Sequence, residues 1–145
     1  MDVIADNQDV LLVEDCESDA RLIMDAFVKY GPAKNIMWLD DGKKAVEYIK
    51  NWPLKFRDTG RRLLVLLDLY LPKMNGFELL DEIKSCVSEG AAEFVIISGS
   101  ENEKDLLKGY SLGAKAFINK DIIQGNCINI ICGGHYNNAG TRASA

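Results

Sequence analysis

The chain has 145 residues, the size of a single domain. Hydrophobic residues at 48% and charged residues at 27% exclude a disordered segment and fit a self-sufficient globular core. With 17 Lys and Arg against 22 Asp and Glu, the net charge is −5, and no basic cluster offers a surface for direct nucleic-acid binding. The first apolar run, Val10 to Val13, is bounded by Asp9 and Glu14 and predicts a strand. Leu22, Ile23, Ala26 and Phe27 then share a helical face, with Gly31-Pro32 as the stop. Ile36 to Leu39 is a second, weaker strand. Ala45, Val46 and Ile49 mark a shorter helix that Asp41 can cap. Leu63 to Leu67 is the strongest apolar run, and Asp68 ends it. Phe77, Leu80, Ile83 and Val87 give a third helix, with Gly90 past its end. Phe94 to Ile97 is the fourth strand. Leu106, Leu107, Tyr110 and Leu112 give a fourth helix that Gly113 stops, and Ala116 to Ile118 is the fifth and shortest strand. Asp121-x-x-Gln124 has the form of a capping box for a fifth helix.

Continuous apolar runs of this length suit strands buried on both faces, as in a parallel sheet. Five strand–helix units in series predict a doubly wound α/β fold with right-handed crossovers. The expected organisation is a lead-in over 1–8, one folded domain over 9–132 and a polar, flexible tail over 133–145. The N-terminus is acidic and lacks the apolar stretch of a secretory signal, and no apolar run approaches the roughly 20 residues that span a bilayer. The expected compartment is the cytoplasm, without membrane association. The four cysteines are scattered, form no C-x-x-C pair and have one His beside them, so they read as reduced thiols.

In a parallel α/β sheet the ligand site lies beyond the carboxyl ends of the strands. Those ends carry Glu14-Asp15, Asp68, Ser98 and Lys120. Singly, such residues mostly satisfy turn backbone or face solvent. Jointly they place three carboxylates, a hydroxyl and an ammonium at one edge. Clustered carboxylates raise one another's pKa, and a hard divalent cation such as Mg²⁺ relieves the conflict. One carboxylate is then free to act as a nucleophile toward phosphorus, with Mg²⁺ and Lys120 stabilising the phosphoryl oxygens. Ser98 can accommodate the transferred group.

These residues resemble the receiver domain of two-component response regulators. The anchors are Leu11-Leu12-Val13-Glu14-Asp15, Leu67-Asp68-Leu69-Tyr70-Leu71-Pro72-Lys73-Met74-Asn75-Gly76, Ile96-Ile97-Ser98-Gly99 and Gly113-Ala114-Lys115-Ala116-Phe117-Ile118-Asn119-Lys120. The likeness covers about residues 8 to 123 and implies the flavodoxin-like strand order 2-1-3-4-5. It implies Asp68 as phosphoacceptor and Asp15 as a direct Mg²⁺ ligand. Glu14 would act through a water, and the Tyr70 backbone carbonyl would be a further ligand. Lys120 would contact the phosphoryl group. Ser98 and Phe117 would switch together and remodel the face of helix four, strand five and helix five. The Lys43–Tyr48 helix, the extended Asn51–Arg62 lead-in and the Gly109–Gly113 turn are similar to stand-alone regulators that partner phytochrome-like and other hybrid sensor kinases.

Two departures stand out. Asp121 replaces the proline that usually follows the lysine, which disfavours a cis peptide there. Helix five is interrupted at Gly125-Asn126, and its apolar Ile123, Ile130 and Ile131 favour dimer contacts or segment exchange. Gly99 leaves the phosphoryl site open, whereas Tyr70 is bulky enough to shield it. Among rivals, a haloacid-dehalogenase-type phosphatase needs a second Asp where Tyr70 stands. A flavin mononucleotide carrier would be repelled by the loop from Glu14 to Asp19. A pseudo-receiver interaction module that takes no phosphate typically lacks the acidic pair, the acceptor Asp or the Lys, all present here.

The expected function is a response regulator receiver. It accepts a phosphoryl group on Asp68, with Mg²⁺, from a sensor histidine kinase or phosphotransfer protein. It is a phosphoacceptor rather than a turnover enzyme, and its expected output is a changed protein–protein surface. The length leaves little room for an appended DNA-binding module.

Overall fold

The computed structural model describes residues 8–30, 36–56, 62–71, 73–84, 92–99, 102–120 and 141–143. In chain order the elements are β1 (Gln8–Val13), α1 (Glu17–Tyr30), β2 (Ile36–Leu39), α2 (Gly42–Phe56) and β3 (Arg62–Asp68). They continue with α3 (Gly76–Glu82), β4 (Ala92–Ser98), α4 (Glu103–Ser111), β5 (Ala116–Asn119) and β6 (Thr141–Ala143). The sheet order is β2-β1-β3-β4-β5-β6, and the first five strands are parallel. This is the expected flavodoxin-like order with one strand added.

Alternation along each strand divides the core into two layers. Leu11, Val13, Val65, Leu67, Phe94, Ile96 and Phe117 face α2, α3 and α4. Val10, Leu12, Leu64, Leu66, Val95, Ile97 and Ile118 face the other way, against Ala20, Ile23, Ala26 and Phe27 of α1. Both sets are buried, which is why the strands read as unbroken apolar runs. Each such side chain contributes roughly 1.5–3 kcal/mol of transfer free energy.

The helices begin as the sequence dictates. Asp41 Oδ1 accepts from the backbone N–H of Lys43 at 2.7 Å and Lys44 at 3.3 Å, which caps α2 and holds its own carboxyl below the usual range. Asn75 caps α3 by accepting from Glu78 N at 2.9 Å. Gly113, with φ at 102°, supplies the left-handed residue after α4.

Several expectations differ from the structure. Leu22 and Leu107, placed on apolar helix faces by spacing, are exposed at 49% and 65%. Ile23, Ala26, Phe27 and Leu106 are buried as the spacing predicts, and Ala20 and Gly109 rather than Leu22 and Leu107 complete those stripes. The stretch after Asn51 is not extended as far as Phe56, because α2 continues through it. Trp52 explains why: it prolongs the buried row Ala45, Val46, Ile49 and donates its indole N–H to the buried Asp9 carboxylate at 3.3 Å. That anchorage carries the helix past Pro53 despite its missing N–H.

The tail expected to be flexible also contributes structure. Residues 141–143 form β6, antiparallel to β5 in the register Ala116↔Ala143, Phe117↔Arg142 and Ile118↔Thr141. Backbone donors and acceptors on the open edge of β5 give even a short polar segment a partner. The predicted helix-one stop, the continuation of helix three to Val87 and Gly90, the capping box, helix five and the Lys120–Asp121 peptide lie outside the described residues.

Candidate functional site

The carboxyl ends of β1, β3, β4 and β5 meet at one edge of the sheet. Register fixes this: Val13 pairs with Leu67, Asp68 with Ile97, and Ser98 with Asn119. The next residues along each strand are therefore the polar ones named from the sequence. Asp68 and Glu14 are 5% and 1% exposed, and Ser98 is fully buried, whereas Asp15 is open to solvent.

The loop after β3 is held by a close approach of backbone. Gly76 N donates to Leu69 O at 2.7 Å. A Cβ on Gly76 would stand 2.8 Å from Leu69 Cα and 3.1 Å from Asp68 O, so only glycine lets α3 start here. In that loop Tyr70 N donates to Asp68 Oδ1 at 3.2 Å, which orients the carboxylate. The Tyr70 ring is drawn toward α4, where its hydroxyl donates to Asp105. The residue expected to shield the site thus links it to α4, with 57% of its surface exposed. Among the described residues nothing lies within 4 Å of the Cβ direction of Gly99.

One oxygen from each of Glu14, Asp15 and Asp68 lies within 4.8 Å of the others. Glu14 is fixed on three sides. Its N–H donates to Leu39 O at 3.1 Å, its carbonyl accepts from the Trp38 indole at 2.7 Å, and its Oε2 accepts from Cys16 N at 3.2 Å. Its Oε1 lies 2.6 Å from Lys120 Nζ, a close ion pair. Burial, and then the adjacent Asp68 carboxyl, push Glu14 up to about 7, with Lys120 opposing. Three carboxylates with an oxygen each within 4.8 Å, two of them buried, form an all-oxygen donor set that fits a hard divalent cation such as Mg²⁺.

Lys120 reaches this cluster from the end of β5. Its Nζ donates to Asp19 Oδ2 at 2.9 Å and to Asp68 Oδ2 at 3.3 Å. Burial disfavours its charge, but Glu14, Asp19 and Asp68 outweigh it and hold the ammonium above the usual lysine range. Asp19 is the residue that sequence reasoning missed. Its only signal was position: four residues after Asp15, in the first turn of α1.

Glu14, Asp15, Asp68 and Lys120 are therefore brought together, and Ser98 ends the strand beside Asp68. Phe117 is not in this cluster. It is 1% exposed and packs in the layer facing α4. Gly109 makes room there, since a Cβ on it would meet Ile96 Cδ1 at 2.6 Å and Phe117 Cδ2 at 3.9 Å.

Comparison with known proteins agrees with this geometry. The probable methanogenesis regulatory protein FilR2 of Methanothrix harundinacea is 39% identical over 116 residues, covering 78% of this chain and 72% of that protein. The crystal structure of the phosphorylated cyanobacterial phytochrome response regulator RcpA superposes with a TM-score of 0.68 at 32% identity, covering 90% of this chain and 91% of that one. The Mn²⁺-bound form of response regulator Rcp1, a Synechocystis protein, gives 0.64 at 28% identity over 86% and 88% of the two chains. Among the described residues no helix is long and apolar enough to cross a membrane. The model of the response regulator receiver domain matches residues 10–131, and the chain belongs to that family.

Proposed function

We propose that this chain is a phosphoacceptor switch of a two-component phosphorelay, with Asp68 as the residue that takes the phosphoryl group. One observation carries the reading. The Asp68 carboxylate has the Glu14 and Asp15 oxygens within 4.8 Å and the Lys120 ammonium at 3.3 Å. An Asp68 oxygen attacks phosphorus of a phosphohistidine on the donor protein. The P–N bond breaks as the new P–O bond forms, and the departing imidazole nitrogen keeps the electron pair and takes a proton from solvent. When bound, Mg²⁺ supplies charge neutralisation that lets an anionic nucleophile approach an anionic phosphoryl group.

Asp15 and Asp68, with the Tyr70 carbonyl, would hold that ion, and Glu14 would act through a water. Lys120 donates to a phosphoryl oxygen, and Ser98 turns toward another. Phosphorylated RcpA and Mn²⁺-bound Rcp1 support both halves of this assignment. Withdrawal of Ser98 toward the phosphoryl group frees space that Phe117 then fills. The change reaches α4 and β5, the face offered to a downstream protein target, where β6 also lies. The donor is a sensor histidine kinase or phosphotransfer protein, and the setting is the cytoplasm. The domain stores a phosphoryl group and does not turn over a substrate.

Incubation with Mg²⁺ and acetyl phosphate, followed by intact mass measurement, tests the reading. The expected result is a gain of one phosphoryl group that chelation of Mg²⁺ prevents and Asp68→Asn abolishes. No gain, together with no stable beryllofluoride complex, would overturn it.

A further inference from the structure

Lys120 is held by more carboxylate than phosphoryl transfer to Asp68 requires. Its Nζ lies 2.6 Å from Glu14 Oε1 and 2.9 Å from Asp19 Oδ2, both closer than Asp68 Oδ2 at 3.3 Å. Asp19 stands apart from the set formed by Glu14, Asp15 and Asp68. It belongs to α1, and its side chain is 40% exposed where those of Glu14 and Asp68 are 1% and 7% exposed. The contact joins residues 101 positions apart, so it is a product of the fold.

We propose that Asp19 is a positioning residue for Lys120, an inference that rests on the reading of Asp68 as phosphoacceptor. An ammonium has three N–H donors and no acceptor. Before any cation binds, Glu14, Asp19 and Asp68 all surround it. Once Asp68 and the Glu14 water shell give their oxygens to Mg²⁺, those oxygens are no longer fully available to Lys120. The ammonium also meets a second positive charge. Asp19 is the carboxylate left to it. One N–H stays anchored toward α1, so the amine remains at the site with another N–H free to meet a phosphoryl oxygen. Without Asp19 the ammonium falls back on Glu14 and Asp68 and competes with the cation for them.

An acid in the first turn also stabilises a helix N-terminus, and that effect needs no lysine. The two roles separate in a double-mutant cycle. Wild type, Asp19→Asn, Lys120→Met and the double variant of the full chain are compared by Mg²⁺ titration calorimetry. The rate of phosphoryl gain from acetyl phosphate is followed by intact mass. Asp19→Asn is expected to weaken Mg²⁺ binding and slow phosphoryl gain by roughly three- to tenfold each, the range for one partly exposed charge-assisted hydrogen bond. Neither change is expected when Lys120 is already methionine. Asp19→Glu, which keeps the carboxylate, is expected to recover most of both.

Equal losses with and without Lys120 would overturn the inference and assign Asp19 to the helix end or to overall charge. So would an Asp19→Asn variant that matches wild type while wild type is phosphorylated normally; the Asp68 reading would then stand. If wild type takes neither phosphoryl nor beryllofluoride, the Asp68 reading falls and this inference with it.

Discussion

The two ends of the sheet carry ion clusters of opposite design. At the amino end Glu93, the second residue of β4, is bridged by Arg62 at the start of β3 and by Lys115 at 3.0 Å just before β5. One carboxylate meets two cations, and the cations are 57% and 47% exposed. At the carboxyl end a single ammonium, 18% exposed, faces Glu14, Asp19 and Asp68, with Asp15 alongside. Strand β3 and the segments flanking β5 contribute to both clusters, whereas β4 supplies Glu93 to the first and the end of β1 supplies Glu14 and Asp15 to the second. At the amino end charge is satisfied and solvated, so it adds little to stability. At the carboxyl end carboxylates outnumber the ammonium and two of them, Glu14 and Asp68, are buried, a donor set that fits a cation. The difference separates a solvated cluster in which one carboxylate meets two cations from a partly buried one in which one cation meets several carboxylates.

The largest expected effect breaks the comparison at its single cation. Lys120→Met without Mg²⁺ at neutral pH should cost about 3 kcal/mol in urea unfolding, because it leaves buried carboxylates unpaired. Added Mg²⁺ should return part of that loss. A cost no larger than that of a surface pair would erase the distinction between the two ends.

The next effect is on pH dependence. Glu14 is raised in the folded state from 4.5 to about 7, so the fold binds a proton there that the unfolded chain releases. Without Mg²⁺, this stabilisation is present below pH 4.5 and is lost as pH climbs toward 7, by about 1–3 kcal/mol. Glu14→Gln should remove that slope. A wild-type profile that rises across the same window would contradict the assignment.

A smaller, steric effect concerns the loop that aims Asp68. Gly76→Ala should destabilise by about 2 kcal/mol, since its Cβ would stand 2.8 Å from the Leu69 backbone. Gly99→Ala, with nothing within 4 Å, should leave thermal unfolding unchanged. At the amino end Glu93→Gln should cost less than about 1 kcal/mol, and salt should shrink that further.

Much of this was legible in the sequence, for a physical reason. Strands buried on both faces must be continuously apolar, so the first charged residue after each run marks a strand end. Glu14, Asp68 and Lys120 were found that way, and register then dictates that they meet. Asp19 was not legible as a partner of Lys120, because the contact depends on where α1 packs after crossing the sheet. Leu22 and Leu107 mark a similar limit: apolar spacing identifies a helix and most of its buried face, but not every residue at the edge of that face. The continuation of α2 past Pro53 depends on the tertiary anchorage of Trp52, which outweighs a local helix breaker. Thr141-Arg142-Ala143 has no strand signature at all, and its pairing follows from the edge that β5 offers.

The most direct test of the central claim locates the phosphoryl group itself. Borohydride reduces an acyl phosphate to an alcohol, leaving a mass change at the residue that carried it. After Mg²⁺ and acetyl phosphate treatment, peptide mass spectrometry should find that change at Asp68 alone. Reduction at Glu14, Asp15 or Asp19 instead, or at no carboxylate, would contradict the account.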